Sequence, residues 1–271
     1  MTGAAVALRD AAWGHVPGAW PLPSARTPSE RWDRAVALGG QGRYSQAAAE
    51  LDALERVGRT DDALASLASS TRASWLRQVG RHADAARHDG SALARVGLPR
   101  EPSSLLVLEA RCDALTGLAA DALGSGGFAR AAMLLARSRQ VLGDAESDGL
   151  WRCRLRELWV SAELAMMSGD GPAAVRHAYD ARDRASDTDS LRHRVKTDLI
   201  VAAALSSAGE VRTAVDGARA VLEACSEHGL VPLAWASAML LCGLGEVTPA
   251  QSIVAECRAL LAHRGGFVAA S

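Results

Sequence analysis

Aromatic side chains are scarce in this chain. They form 4% of its 271 residues, with two Phe and two Tyr beside seven Trp. The 49% hydrophobic content is instead mostly Ala, Leu and Val, small or flexible residues that suit closely packed helical hairpins better than one thick core. Lysine is nearly missing: Lys196 stands alone beside 29 arginines, a bias that fits a GC-rich bacterial genome better than phosphate binding. A net charge of −1 excludes a global field that would recruit nucleic acid or an anionic membrane. There is no C-x-x-C pair. Cys112, Cys153, Cys225, Cys242 and Cys257 are scattered and odd in number, which reads as small buried hydrophobes in a reducing compartment. Long apolar runs are missing too; no stretch approaches the roughly 18 to 20 uncharged residues of a membrane helix. Arg9 and Asp10 interrupt the N-terminal apolar residues early, unlike a secretory leader. A cytoplasmic protein without a membrane partner is expected.

Signatures of chemistry are equally sparse. The sequence holds no G-x-S-x-G, no P-loop and no dinucleotide fingerprint. Seven histidines are dispersed, and His82 and His88 are spaced wrongly for a metal pair on one helical face. Gly124-Ser-Gly-Gly127 follows no strand and reads as a turn. No cofactor, no metal and no enzymatic activity are expected. Helical repeats that read nucleic acid need a regular code or a strongly basic face, and neither is visible.

What is present is a repeat. Gly42, Gly80, Gly126, Gly169, Gly209 and Gly245 are each followed five residues later by an alanine: Ala47, Ala85, Ala131, Ala174, Ala214 and Ala250. Seven positions before each glycine stands another alanine: Ala35, Ala73, Ala119, Ala162, Ala202 and Ala238. The residue two after each glycine is usually large: Tyr44, His82, Phe128, Val211 and Val247, with Gly171 the exception. Successive glycines lie 38, 46, 43, 40 and 36 residues apart, within the range of helical repeats. Glycine stops a first helix and an alanine opens the second. Six hairpins, about twelve helices, are expected over 28–58, 60–97, 102–143, 147–187, 189–229 and 230–264. Thr27, Pro28 and Glu30 supply a helix start with a capping box. No run alternates strongly enough to propose a strand.

This pattern resembles the tetratricopeptide repeat family. In that family a small residue stands midway in the first helix, a glycine and an aromatic mark the turn, and an alanine opens the second helix. Ala35, Gly42, Tyr44 and Ala47 match, as do Ala162, Gly169 and Ala174. The likeness covers roughly residues 28 to 264. Repeats longer than 34 residues, alanine where the family usually has glycine, and few closing prolines set it apart from a regular array. The resemblance implies an all-α fold, a right-handed α-α superhelix or solenoid, with first helices lining a concave groove.

Counting back from each turn glycine places Trp32, Thr116, Trp159 and Trp235 in one groove register, with Arg156, Lys196, Glu163 and Met239 at neighbouring positions. Trp and Arg are enriched in binding hot spots, although each Trp could equally pack between hairpins. A basic cluster follows: Arg152, Arg154 and Arg156 at the start of the fourth repeat, Arg192, Arg194 and Lys196 at the start of the fifth. It suits a carboxylate or phosphate, unless Asp183, Asp187, Asp189 and Glu157 neutralise it in weak surface pairs.

Residues 1–26 are rich in Pro and Gly around Trp13 and Trp20 and read as a flexible arm, ordered only on docking. Its tryptophans are expected to reach the groove of the same or another subunit, giving autoinhibition or a homodimer. The apolar end at Gly265-Gly266-Phe267-Val268 is a second place for self-association. The function expected is that of a non-enzymatic scaffold or regulatory protein binding an extended peptide or a partner helix. The alternative is the ligand-responsive sensor array of a transcription-regulatory system. A third reading is RNA contact through the basic cluster.

Overall fold

The computed structural model of the chain describes residues 3–56, 61–98, 104–143 and 148–266. Among them there is no strand. Thirteen α-helices follow one another: α1 (Gly3–Trp13), α2 (Pro28–Gly40), α3 (Tyr44–Arg56), α4 (Asp62–Gln78), α5 (His82–Val96), α6 (Leu105–Gly124), α7 (Phe128–Leu142), α8 (Trp151–Met167), α9 (Gly171–Ser186), α10 (Leu191–Ser207), α11 (Val211–Glu227), α12 (Val231–Gly243) and α13 (Val247–His263). From α2 onward they pack in six successive pairs. First helices of neighbouring pairs also touch, α2 with α4, α4 with α6, and onward to α12.

The local physics of each pair is uniform. All six turn glycines adopt the left-handed region, with φ of 73° at Gly42, 74° at Gly80, 78° at Gly126, 77° at Gly169, 87° at Gly209 and 95° at Gly245. The next residue's N–H then reaches back five residues to an orphan carbonyl of the first helix: Arg43 to Leu38, Arg81 to Leu76, Gly127 to Ala122, Asp170 to Ala165, Glu210 to Leu205 and Glu246 to Leu241. This is the Schellman arrangement, which needs a residue tolerant of positive φ. The second helix opens at the following residue each time. All twelve repeat alanines are buried at 2% exposure or less. Thr27 caps α2, its hydroxyl accepting from the Glu30 N–H at 3.2 Å while the Glu30 carboxylate accepts from the Thr27 N–H at 3.2 Å.

Polar groups tie pairs together where small residues give them room. Arg77 at the end of α4 pairs with Asp89 of α5 and, at 3.1 Å, with Asp121 of α6. A Cβ on Gly117 would overlap the Asp89 carboxylate, which accounts for a glycine in the middle of α6.

The N-terminal segment differs from the extended arm expected of it. Gly3–Trp13 is helical because five alanines fill it, and after Gly3 at its first position the next Gly or Pro is Gly14. Leu8, Ala11 and Ala12 are buried against α2, with Leu106 and Val107 of α6 in the same cluster. Beyond Gly14 the chain stays docked. The Leu191 N–H donates to the Gly14 carbonyl at 3.1 Å. The Gln41 amide donates to the carbonyls of Pro17 and Ala19 at 2.8 and 3.0 Å. Leu22 is buried.

The first and last pairs meet as well. The Ser45 N–H donates to the Arg264 carbonyl at 3.0 Å, and Arg264 Nη1 donates to the Gln41 carbonyl at 2.7 Å. Phe267 and Val268, the apolar end expected from the sequence, lie outside the described residues.

Gly209 has open space around the position of a Cβ, so only its positive φ resists substitution. Gly209→Ala should therefore lose about 1–2 kcal/mol, read from urea unfolding. A loss below about 0.5 kcal/mol would mean that the turn does not need a left-handed residue.

Candidate functional site

Four of the seven tryptophans and one histidine gather where α1 meets α2, α8 and α10. The Trp13 ring lies 5.2 Å from Trp32 and 5.9 Å from His193. His193 stacks on Trp159 at 5.7 Å with an interplanar angle of 18°, and meets the edge of Trp151 at 5.0 Å. The Trp13 indole donates to Asp33 at 2.7 Å. Burial pushes the Asp33 carboxyl pKa up, and the Trp13 hydrogen bond opposes part of that rise. His193 Nδ1 bonds the Ser190 hydroxyl at 2.7 Å. Burial, then the charges of Arg192 and Arg152, hold the imidazole well below its ordinary pKa, so it is neutral at pH 7.

Trp32 and Trp159, both expected in a groove register, occupy matching places between pairs. Trp32 Nε1 donates to Thr71 at 3.0 Å, and Trp159 Nε1 donates to Thr197 at 2.9 Å. Each threonine hydroxyl in turn donates to the carbonyl four residues earlier, that of Leu67 or His193. Both rings are buried. Trp235 of the last pair is partly exposed; its indole N–H is buried and meets no acceptor. Met239, one turn further, is 51% exposed.

The basic cluster divides by helical face. Arg152 and Arg156 of α8 point to α6 and share Asp113, Arg152 at 2.6 Å; Arg152 also bonds Glu109 at 2.9 Å. Burial tends to raise the Asp113 pKa, and the two guanidiniums outweigh it and hold the carboxyl below its usual value. Arg152 lies 5.2 Å from the Trp13 ring centroid as well. Arg154 points the other way and donates to the carbonyls of Leu142 and Gly143 at 3.3 and 3.1 Å. Arg194 donates to the Thr188 carbonyl. These two satisfy carbonyls at helix ends and do not join the others, because a two-residue step on a helix turns a side chain to the opposite face. Thr116 is not on the shared surface either: it is buried inside its own pair, its hydroxyl 3.1 Å from that of Ser138 on α7.

Three charged groups remain on the α8 and α10 faces. Arg192 donates to the Ala12 carbonyl at 3.4 Å, and burial with the nearby Arg152 and Arg156 lowers its pKa to about 10. Lys196 lies 4.5 Å above the Trp159 ring centroid. Burial brings its pKa down to about 8 against the opposing pull of Glu163. Glu163 is raised by burial in turn, and Lys196, Arg77 and Arg156 lower it in part. Both residues are only partly buried. Within the charged surface, then, Arg156, Glu163 and Lys196 come together with Arg192, while Met239 and Trp235 stand apart on α12.

The carboxylates that neutralise Arg152 and Arg156 come from 43 residues or so earlier in the chain, not from the neighbouring acidic residues the sequence offered. Glu157 pairs with Arg139 at 3.3 Å and Asp189 with His15 at 3.6 Å. Asp33 and Trp151 carried no signal of their own; the pairing of each Trp with a Thr about 38 residues later was the readable one. No group of three His, Cys, Asp or Glu side chains among the described residues is placed to hold a metal ion. None of the described helices is long and apolar enough to cross a membrane. No model of a known protein family matches the chain, and no curated protein matches it.

Lys196 is the single side-chain amine of the chain, so its titration can be read without ambiguity. With a pKa of about 8, acetic anhydride labelling followed by peptide mapping should show a half-maximal rate near pH 8. Glu163→Gln should move that midpoint lower, since it removes the charge that favours the ammonium. A midpoint above pH 10 would place Lys196 in ordinary solvent.

Proposed function

We propose that the six pairs wind as a right-handed superhelix of the tetratricopeptide type and that the first helices line a non-enzymatic recognition groove. The partner is a protein segment, either extended or helical, and the protein acts as a cytoplasmic scaffold or regulator. The observation that supports this reading is the placement of α1. A helix ending in an indole, followed by an extended Gly/Pro stretch, already lies across α2, α8 and α10, with its Trp13 between Trp32, His193 and Arg152. A surface that receives one such segment has the chemistry to receive another: ring faces for apolar contact, guanidiniums over them, and Asp33 to accept an indole N–H. In this reading residues 3–24 are the built-in occupant; Trp32 meets it directly, and Trp159 supports it through His193, on which Trp13 lies.

The test separates occupant from scaffold. A synthetic peptide of residues 3–24, added to a chain that begins at residue 27, should bind saturably and raise its Tm by mass action. The same peptide with Trp13→Ala should bind at least about tenfold more weakly. A truncated chain that stays helical by circular dichroism and ignores the peptide would sink the reading.

A second reading draws on Lys196 and Glu163. Opposite charges, partly buried on facing helices with no ion pair between them, suit a small ligand that brings both signs, as expected of a ligand-responsive sensor array. Amino acids and dipeptides screened by thermal shift should then stabilise the wild type and leave Glu163→Gln unmoved. A screen that shifts neither protein removes this reading.

A further inference from the structure

The turn between α2 and α3 and the end of α13 come from opposite ends of the chain, and between them lies a half-open cavity of about 420 Å³. Arg43, Ser45, Gln46, Leu260, His263 and Arg264 line it. Among the described residues no acidic side chain lines it, so its charge is of one sign. Elsewhere the enclosed arginines have acceptors: Arg77 has Asp89 and Asp121, Arg152 and Arg156 share Asp113, Arg111 bonds the Val96 carbonyl and Arg192 that of Ala12. The Arg43 guanidinium has no acceptor among the described residues.

Its guanidinium lies 3.5 Å above the Trp20 ring centroid, which covers one face and leaves the N–H edge over. Its Nε is buried and meets no acceptor. Arg264 spends Nη1 on the Gln41 carbonyl, which fixes the head of the side chain and leaves four of the five donors of a guanidinium. Burial, and then the charge of Arg264, push the Arg43 pKa down, so the two cations repel. What holds them side by side is the hydrogen-bonded frame, with the Ser45 N–H on the Arg264 carbonyl at 3.0 Å. A site that keeps like charges together by its backbone is prepared for a ligand of the opposite charge.

We propose that this cavity binds a small multivalent oxyanion, a phosphate or diphosphate group carried on a small molecule. Guanidinium edges bond two oxygens of such a group at once, and Trp20 holds one of them in plane. The cavity exceeds by far the roughly 30 Å³ that one water occupies, which leaves room for the body to which the phosphate is attached. The occupant bridges the first pair to the last, so it stabilises the join between them.

The full chain is titrated with inorganic phosphate and with pyrophosphate by isothermal calorimetry at constant ionic strength. The expected result is saturable one-site binding, pyrophosphate the tighter of the two, with a rise in Tm that follows occupancy. Arg43→Gln is the decisive variant, because it breaks no hydrogen bond to another described residue. It should weaken binding at least about tenfold while circular dichroism stays unchanged. Arg264→Gln should do the same, and Arg87→Gln, at an exposed pair on α5, should leave the affinity as it was. Absence of saturable binding, or equal affinity in wild type and Arg43→Gln, overturns the proposal. Neither result bears on whether the peptide of residues 3–24 binds the first helices.

Discussion

Alanine facing alanine lets the two helices of each pair approach closely, and the left-handed glycine lets the chain turn tightly enough to use that approach. The two requirements are coupled. A larger side chain at Ala35 or Ala47, both in one buried cluster, would push the helices apart, and the bond from Arg43 back to Leu38 would no longer close. The same holds at Ala162 and Ala174, which share another cluster. Interaxial distance follows the side chains at the contact, so the scarcity of aromatics in this chain is a condition of its geometry. The large rings are concentrated instead where pairs meet each other and where α1 crosses them.

That crossing sets the chemistry of the shared surface. The groups around α1 are strongly polar: Asp33 takes the Trp13 N–H and feels the charge of Arg9, Arg152 lies between ring and carboxylates, and Arg192 bonds the Ala12 carbonyl. Buried charges of this kind stabilise little by themselves and cost much when one partner is removed. They therefore fix where a docked segment can lie more than how tightly it is held. Gly18 carries the same logic onward. It lies so close to the His228 carbonyl that a Cβ would not fit, so the path of the segment past α11 is defined by a residue without a side chain.

The repeat was legible because it depends on local rules. Helix stop, turn and restart are written within about fifteen residues of each glycine, and all six turns follow. The capping box at Thr27 was legible for the same reason. Other features were not, because they join residues far apart. The carboxylates of Arg152 and Arg156 come from α6, and only packing of first helix on first helix brings them near. Alternation in the sequence made Arg152, Arg154 and Arg156 look like one cluster, whereas a helix sends the middle one to the far side. α1 was hidden by its neighbours: the Pro and Gly residues from Gly14 onward obscured a short alanine-rich helix whose stability comes from the surface it covers. Thr116 sat at the expected count from its glycine, yet the count fixes position along a helix and not which partner the side chain meets.

Six pairs in a row are joined by five junctions, from α3 with α4 to α11 with α12. In such a chain of coupled units the terminal ones are held on a single side and open first. Here residues 41 to 45 touch residues 261 to 266, which supplies a sixth junction and leaves no pair with only one neighbour. Loss of order at either end then has to break two contacts at once, and the boundary term that makes a linear array fray becomes a term it shares with the middle. A molecule assembled from similar but unequal parts gains in this way the connectivity of a closed set, in which each part has a neighbour on both sides.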